Sequence, residues 1–269
     1  MKTPCRAGFP VRPILWSLLV IFMAWAALAL SSATREDVPF YPRERLLFGL
    51  RWGLVSAGEA VMETLPVTVI NGIPAYHFML DVRSSPFLDV FFKVRNRIEG
   101  FADTRMTRSL LYKKDQKEGG SSRDIVVTFD WETNHATYSN FDQPEKPVPI
   151  RPGAFDPLSV LFYMRLLDLK VDSEFQRPIT DGKKSILVTA RVVRRETVTV
   201  PGGRFDTHVL ETRLKDIGGD IEKPMDTQIR LWVTTDARRI PVRIESRLRV
   251  GSLLAELISA DGLSGGSSP

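Results

Sequence analysis

The sequence predicts a mainly β protein: a curled antiparallel sheet, an open or half β-barrel, with one buried apolar helix and a second short helix. Three observations carry that expectation. Residues 240–250 alternate Val242, Ile244, Leu248 and Val250 with Arg243, Glu245, Arg247 and Arg249, a period of two with one apolar and one charged face. Further short segments of the same kind are separated by tight-turn residues. A single all-apolar stretch then follows a proline-rich segment and reads at helical spacing.

Taken in order, strands are expected at 46–53, 59–69, 75–82, 92–101, 109–112, 125–130 and 136–141. Ser84-Ser85-Pro86 opens a turn, and a short helix is expected over 85–90. Residues 113–123, all polar or glycine, read as a hairpin loop. Asp130 to Asn134 resembles the start of a calcium loop. His135 stands where the turn glycine belongs and Phe141 where the bidentate Glu belongs, so a hairpin turn is the better reading.

Residues 142–157 carry prolines at 144, 147, 149, 152 and 157, and are expected to form a crossover between N-terminal and C-terminal strands. Asp156 is a good N-cap and Pro157 a good first helical residue, so a helix is expected over 157–169. Its polar members Ser159, Arg165 and Asp168 do not share a face, which predicts burial. The C-terminal strands, within 183–260, include 191–200 and 205–214 around Pro201-Gly202-Gly203, and 227–234 joined to 240–250 through Asp236 to Arg239.

The ends carry different expectations. Lys2, Arg6 and Arg12 precede an apolar run over 14–30 and small residues Ser31, Ser32 and Ala33, the layout of an export signal. Cleavage after Ala29 or Ala33 fits, with an uncleaved anchor as the alternative; membrane contact is expected only through this segment, if it is retained. The expected compartment is the periplasm of a Gram-negative bacterium. One domain is expected over 34–261, with a flexible Gly/Ser tail over 262–269.

The one cysteine, Cys5, lies in the signal, so the domain has no thiol for a disulfide, a nucleophile or a metal. The formal charge is +5; without the three signal cations, 34 basic side chains face 32 acidic ones, and they are interleaved. Nucleic acid is set aside as a partner for want of a basic cluster. His77, His135 and His208 are widely spaced, so no metal site and no cofactor is expected. Gly262-Leu263-Ser264-Gly265-Gly266 matches a nucleophile motif but lacks the strand and helix that would strain it.

Several short elements resemble an exported bacterial family, that of domain of unknown function thirty-one-oh-eight. They are Asp156-Pro157-Leu158-Ser159 with Tyr163 and Arg165, Val200-Pro201-Gly202-Gly203 with Phe205, Trp232 to Asp236, and Ile240-Pro241-Val242-Arg243. The likeness runs over about 47–260. It is similar in architecture to periplasmic lipoprotein carriers, which implies an open barrel closed by helices over a hydrophobic cavity. Lipid binding is implied by that likeness at the level of fold alone.

A curved sheet plugged by an apolar helix makes a concave site, or else the helix simply completes the core. The expected function is non-enzymatic binding of a hydrophobic or amphiphilic, lipid-like ligand, lined or gated by Leu158, Leu161, Phe162 and Arg165. Arg165 on a buried helix needs either an acidic partner or a ligand head group. Trp232 and Arg243 are expected to stack on neighbouring strands and are included as ligand-binding candidates. The alternative is an envelope scaffold or assembly factor with a protein partner. A glycan hydrolase would require two carboxylates about 5–9.5 Å apart in a cleft.

Overall fold

Period-two segments joined by tight turns do build one antiparallel sheet. The computed structural model describes residues 38–214, 227–247 and 252–263. The expected export signal with Cys5, most of the Gly/Ser tail, and residues 248–250 of the predicted last strand lie outside the described residues. Strands β1 (Arg45–Trp52), β2 (Val55–Ile70) and β3 (Ile73–Ser84) lead to helix α1 (Pro86–Asp89). Then come β4 (Val94–Asp103), β5 (Ser109–Glu118), β6 (Ser121–Asp130), β7 (His135–Asn140), β8 (Gln143–Pro144) and β9 (Val148–Pro149). Helix α2 (Ser159–Met164) precedes β10 (Glu174–Thr180), β11 (Ser185–Val200), β12 (Gly203–Leu214), β13 (Thr227–Thr234), β14 (Pro241–Arg247) and β15 (Ser252–Asp261).

The sheet order is β10-β11-β12-β13-β14-β15-β1-β2-β3-β4-β5-β6-β7-β8, with β9 also on β7. The first and last strands therefore pair in the middle, Leu46 opposite Ala260, and fuse the N- and C-terminal sets into one surface. The sheet curls without closing. Residues 150–158 run between the two ends of the sheet: Ile150 N bonds Asn134 O in the β6–β7 turn, Ala154 O accepts from Ser109 N at the start of β5 at 3.1 Å, and Phe155 pairs with the edge strand β10 through Pro178 O and Thr180 N. The β10–β11 turn reaches the far edge, where a Cβ on Gly182 would lie 2.8 Å from Val127 and 3.1 Å from Tyr138.

Four expectations need correction. Residues 113–123 are mostly strand, with only Gly119-Gly120 as the turn; a hairpin wet on both faces shows no apolar alternation to read. The proline-rich crossover holds two two-residue strands, β8 and β9, as prolines can occupy edge positions. Strand β10 lies before the expected C-terminal strands of 183–260; it carries Pro178, which an edge strand tolerates. The long helix shrinks to α2, because Arg165, Leu166 and Leu167 N–H groups bond three residues back and tighten the chain into turns.

Other details follow their local signals. Ser85 caps α1, with Pro86 at its start. Asp130 Oδ1 accepts from Glu132 and Thr133 N–H in the β6–β7 turn. Pro66 lies where β2 breaks register between Leu65 and Thr68.

Candidate functional site

The helix enters the concavity at a buried polar joint. Asp156 Oδ1 accepts from Leu158 N and Ser159 N, each at 2.8 Å, and Val160 N bonds Asp156 O, so Asp156 caps the helical turn although regular α2 begins at Ser159. Asp156 Oδ2 accepts from Ser109 Oγ at 2.6 Å, and Asp156 N donates to that same hydroxyl oxygen. The joint presses on Gly100 of β4, where a Cβ would lie 2.7 Å from Ser159 Oγ and 2.8 Å from Asp156 Oδ1.

Burial pushes the Asp156 carboxyl up from its ordinary 3.8, against the hydrogen bonds from Ser109, Ser159 and Leu158 that favour its charge. The folded state therefore holds this proton more tightly than the unfolded state. Stability should be highest below pH 3.8 as regards this group, fall as pH rises through the interval up to the raised folded pKa, and then level off. Urea midpoints measured against pH should show that descending limb in wild type and not in Asp156→Asn, which retains an acceptor oxygen for the cap. Asp156→Ala loses the acceptor and should cost roughly 2 kcal/mol.

The segment carrying α2 has two apolar faces, which explains a sequence that is apolar almost all round. Leu158, Phe162 and Arg165 lie on one face and are all buried. Phe162 stacks on Phe78 of β3 with centroids 3.8 Å apart, and Phe40 meets Phe162 edge-on at 5.6 Å. Arg165 is 1% exposed and forks onto Glu44, likewise 1% exposed, with Nη1–Oε1 at 2.5 Å and Nη2–Oε2 at 2.9 Å. Its remaining donors reach Pro39 O and Arg238 O. This guanidinium ties the helix to the approach of β1 and to the β13–β14 turn.

The opposite face is only partly packed: Met164 and Leu167 pack on the cluster of Leu169, Leu210 and Leu231, and a cavity remains beside them. Leu161, Val160, Met164 and Leu167 look across a cavity of about 330 Å³ toward Phe175 and Ile179 on β10, Val188 and Ala190 on β11, Leu210 on β12, Leu231 on β13 and Ile244 on β14. That volume falls in the range of small-ligand sites. Among the described residues the lining includes no carboxylate, and its polar side chains are Tyr163, Arg177 and Thr212. Arg177 occupies the cavity-facing row Phe175–Arg177–Ile179 of an otherwise apolar wall. Its guanidinium lies 4.1 Å from the centroid of the Tyr163 ring, and Nη2 donates to the Tyr163 hydroxyl. Arg177 Nε and Thr212 Oγ1 are buried without hydrogen-bond partners, and a buried orphan of this kind costs about 1–3 kcal/mol.

Of the six residues singled out from sequence, only Leu161 lines this cavity. Leu158 and Phe162 pack on the filled side of the helix, and Arg165 has taken the acidic partner rather than a head group. Trp232 and Arg243 do pair across β13 and β14, with the guanidinium 5.6 Å from the indole centroid. They follow Leu231 and precede Ile244, both on the cavity wall, so strand alternation places them on the other face of the sheet. There Trp232 Nε1 donates to Glu196, and Arg243 pairs with Glu256 at 2.7 Å. Arg177 escaped notice because it sits in the strand that was not expected.

The three histidines have separate local partners. His77 pairs with Glu99 at 2.9 Å, His135 Nδ1 lies 2.8 Å from Thr133 O, and His208 Nε2 accepts from Arg195 Nε.

Fold and cavity together define an open antiparallel half-barrel with a partly open apolar cavity. The chain belongs to the family described as "Protein of unknown function (DUF3108)", whose model matches residues 48–258. No curated protein sequence matches it. Among solved structures, a β-barrel-like protein of domain of unknown function DUF1849 from Brucella abortus is 12% identical. That match covers 82% of this chain and 98% of the other at a TM-score of 0.52, a likeness of fold alone. A candidate lipoprotein from Parabacteroides distasonis (11% identity, 83% and 98% covered, TM-score 0.40) is more distant. So is a candidate exported protein with a YmcC-like fold from Bacteroides fragilis (9%, 83% and 97%, TM-score 0.35).

Proposed function

We propose that this is an exported, non-enzymatic periplasmic protein that holds a hydrophobic or amphiphilic, lipid-like ligand in the cavity between α2 and strands β10 to β14. The observation that carries the reading is the asymmetry of the helix: one face is packed by stacked aromatics, while the other borders about 330 Å³ of apolar space. An apolar occupant would take the partly exposed side chains of this cavity out of water, a gain of roughly 25 cal/mol per Å² of apolar surface covered. Export is supported by the charged, apolar and small-residue sequence of the leader.

The test is uptake of a fluorescent fatty-acid probe by the purified protein and by Ala190→Phe. Ala190 lines the cavity, so a phenyl ring there should project into it and obstruct an occupant. The variant should lose at least tenfold in probe affinity while its unfolding free energy from urea titration stays within about 1 kcal/mol of wild type. Equal uptake by both proteins, or uptake by neither, would refute the cavity as the binding site.

A second reading, an envelope scaffold or assembly factor with a protein partner, is favoured by one surface. Leu54 at the β1–β2 turn is 93% exposed, and Phe87, Val90 and Phe91 around α1 are 63%, 79% and 72% exposed. Ser85 N and Oγ bond Ala57 O and Ser56 O, which joins the two turns into one exposed apolar end. Photo-cross-linking from Leu54 or Phe91 in the periplasm separates the readings: a stoichiometric protein partner together with an empty cavity supports the scaffold.

A further inference from the structure

Resting on the cavity reading, we infer that the occupant is an anion-headed, single-chain amphiphile, with its carboxylate or phosphate held by Arg177. Three observations converge on this residue. Among the described residues Arg177 is the one charged side chain in the cavity lining. Among the described residues no carboxylate pairs with it, whereas Arg165 on the other face of the helix is saturated by Glu44. Its Nε is buried and donates to nothing.

The guanidinium is also held in place. It lies against the Tyr163 ring at 4.1 Å and donates through Nη2 to the Tyr163 hydroxyl, which leaves Nη1 for another acceptor. A planar cation fixed in this way suits a carboxylate or phosphate, which accepts charge-assisted N–H bonds. Arg177 is only partly buried and lies beside the crossover, with Nη1 3.9 Å from the place of a Cβ on Gly153. The head group would thus sit where helix, crossover and edge strand meet. The chain would extend along the apolar wall past Phe175, Ala190 and Leu231 toward Ile244.

Competition for a fluorescent fatty-acid probe tests this with ligands that differ only in their heads: dodecanoate, dodecyl phosphate, dodecanol and dodecylamine. At pH 8, dodecanoate or dodecyl phosphate should compete at least tenfold better than dodecanol, and dodecylamine should be weakest. Acetate and inorganic phosphate, heads without chains, should not compete. Arg177→Met should bring the anionic ligands down to the level of dodecanol while leaving dodecanol unchanged, and Arg177→Lys should restore part of the difference. The wild-type ranking needs no variant to fold. If the acid and the alcohol compete equally with wild type, the head-group inference falls and the cavity reading stands. If none of the four competes although the probe binds, both fall.

Discussion

Arg165→Met should destabilise the protein by about 3–5 kcal/mol, because it leaves Glu44 charged and buried with no partner. For a domain of this size that lowers the melting temperature by roughly 10 °C. The urea midpoint should fall with little change in slope. Arg165→Lys should rescue little: an ammonium cannot reproduce the two-pronged contact with Glu44 and the bonds to Pro39 O and Arg238 O together. The double variant Arg165→Met with Glu44→Leu should recover most of the loss, since replacing both partners removes the stranded charge. If the single variant is as stable as wild type, the buried pair is not what fixes the helix to the approach of β1.

Phe162→Ala should cost about 3–5 kcal/mol, and Leu161→Ala, its neighbour in sequence, no more than about 1.5 kcal/mol. The difference follows from the two faces of the helix. Phe162 is fully enclosed between Phe78 and Phe40, so its truncation opens a new hole in tight packing. Leu161 already borders open space, so its truncation enlarges a cavity and removes few contacts. Chemical denaturation of both variants checks this directly. Equal losses would mean that the cavity side is packed as closely as the aromatic side.

What could be read from the sequence divides along the same physical lines. Asp156-Pro157 announces the helix start because capping is local, and the structure shows that carboxylate bonding the first helical N–H groups. Alternation located β13 and β14 and the pairing of Trp232 with Arg243, but it could not say which face of the sheet looks inward. Strand β10, and Arg177 with it, lies before the strands that were expected; it carries Pro178, since the rule against proline in strands lapses at an edge. An all-apolar helix signals burial without showing that one side is tightly filled and the other borders a cavity. Arg165 advertised its need for a partner, but Glu44 lies 121 residues away and only the folded chain selects it.

The cavity bears the whole functional account, so its contents are the decisive observation. Native mass spectrometry of the protein purified from the envelope under gentle conditions reads them directly. The account predicts a bound species of one amphiphilic chain per protein, released by denaturation and missing from Ala190→Phe. A wild-type protein that carries only its own polypeptide mass, and stays so after incubation with fatty acid and with phospholipid, would contradict it.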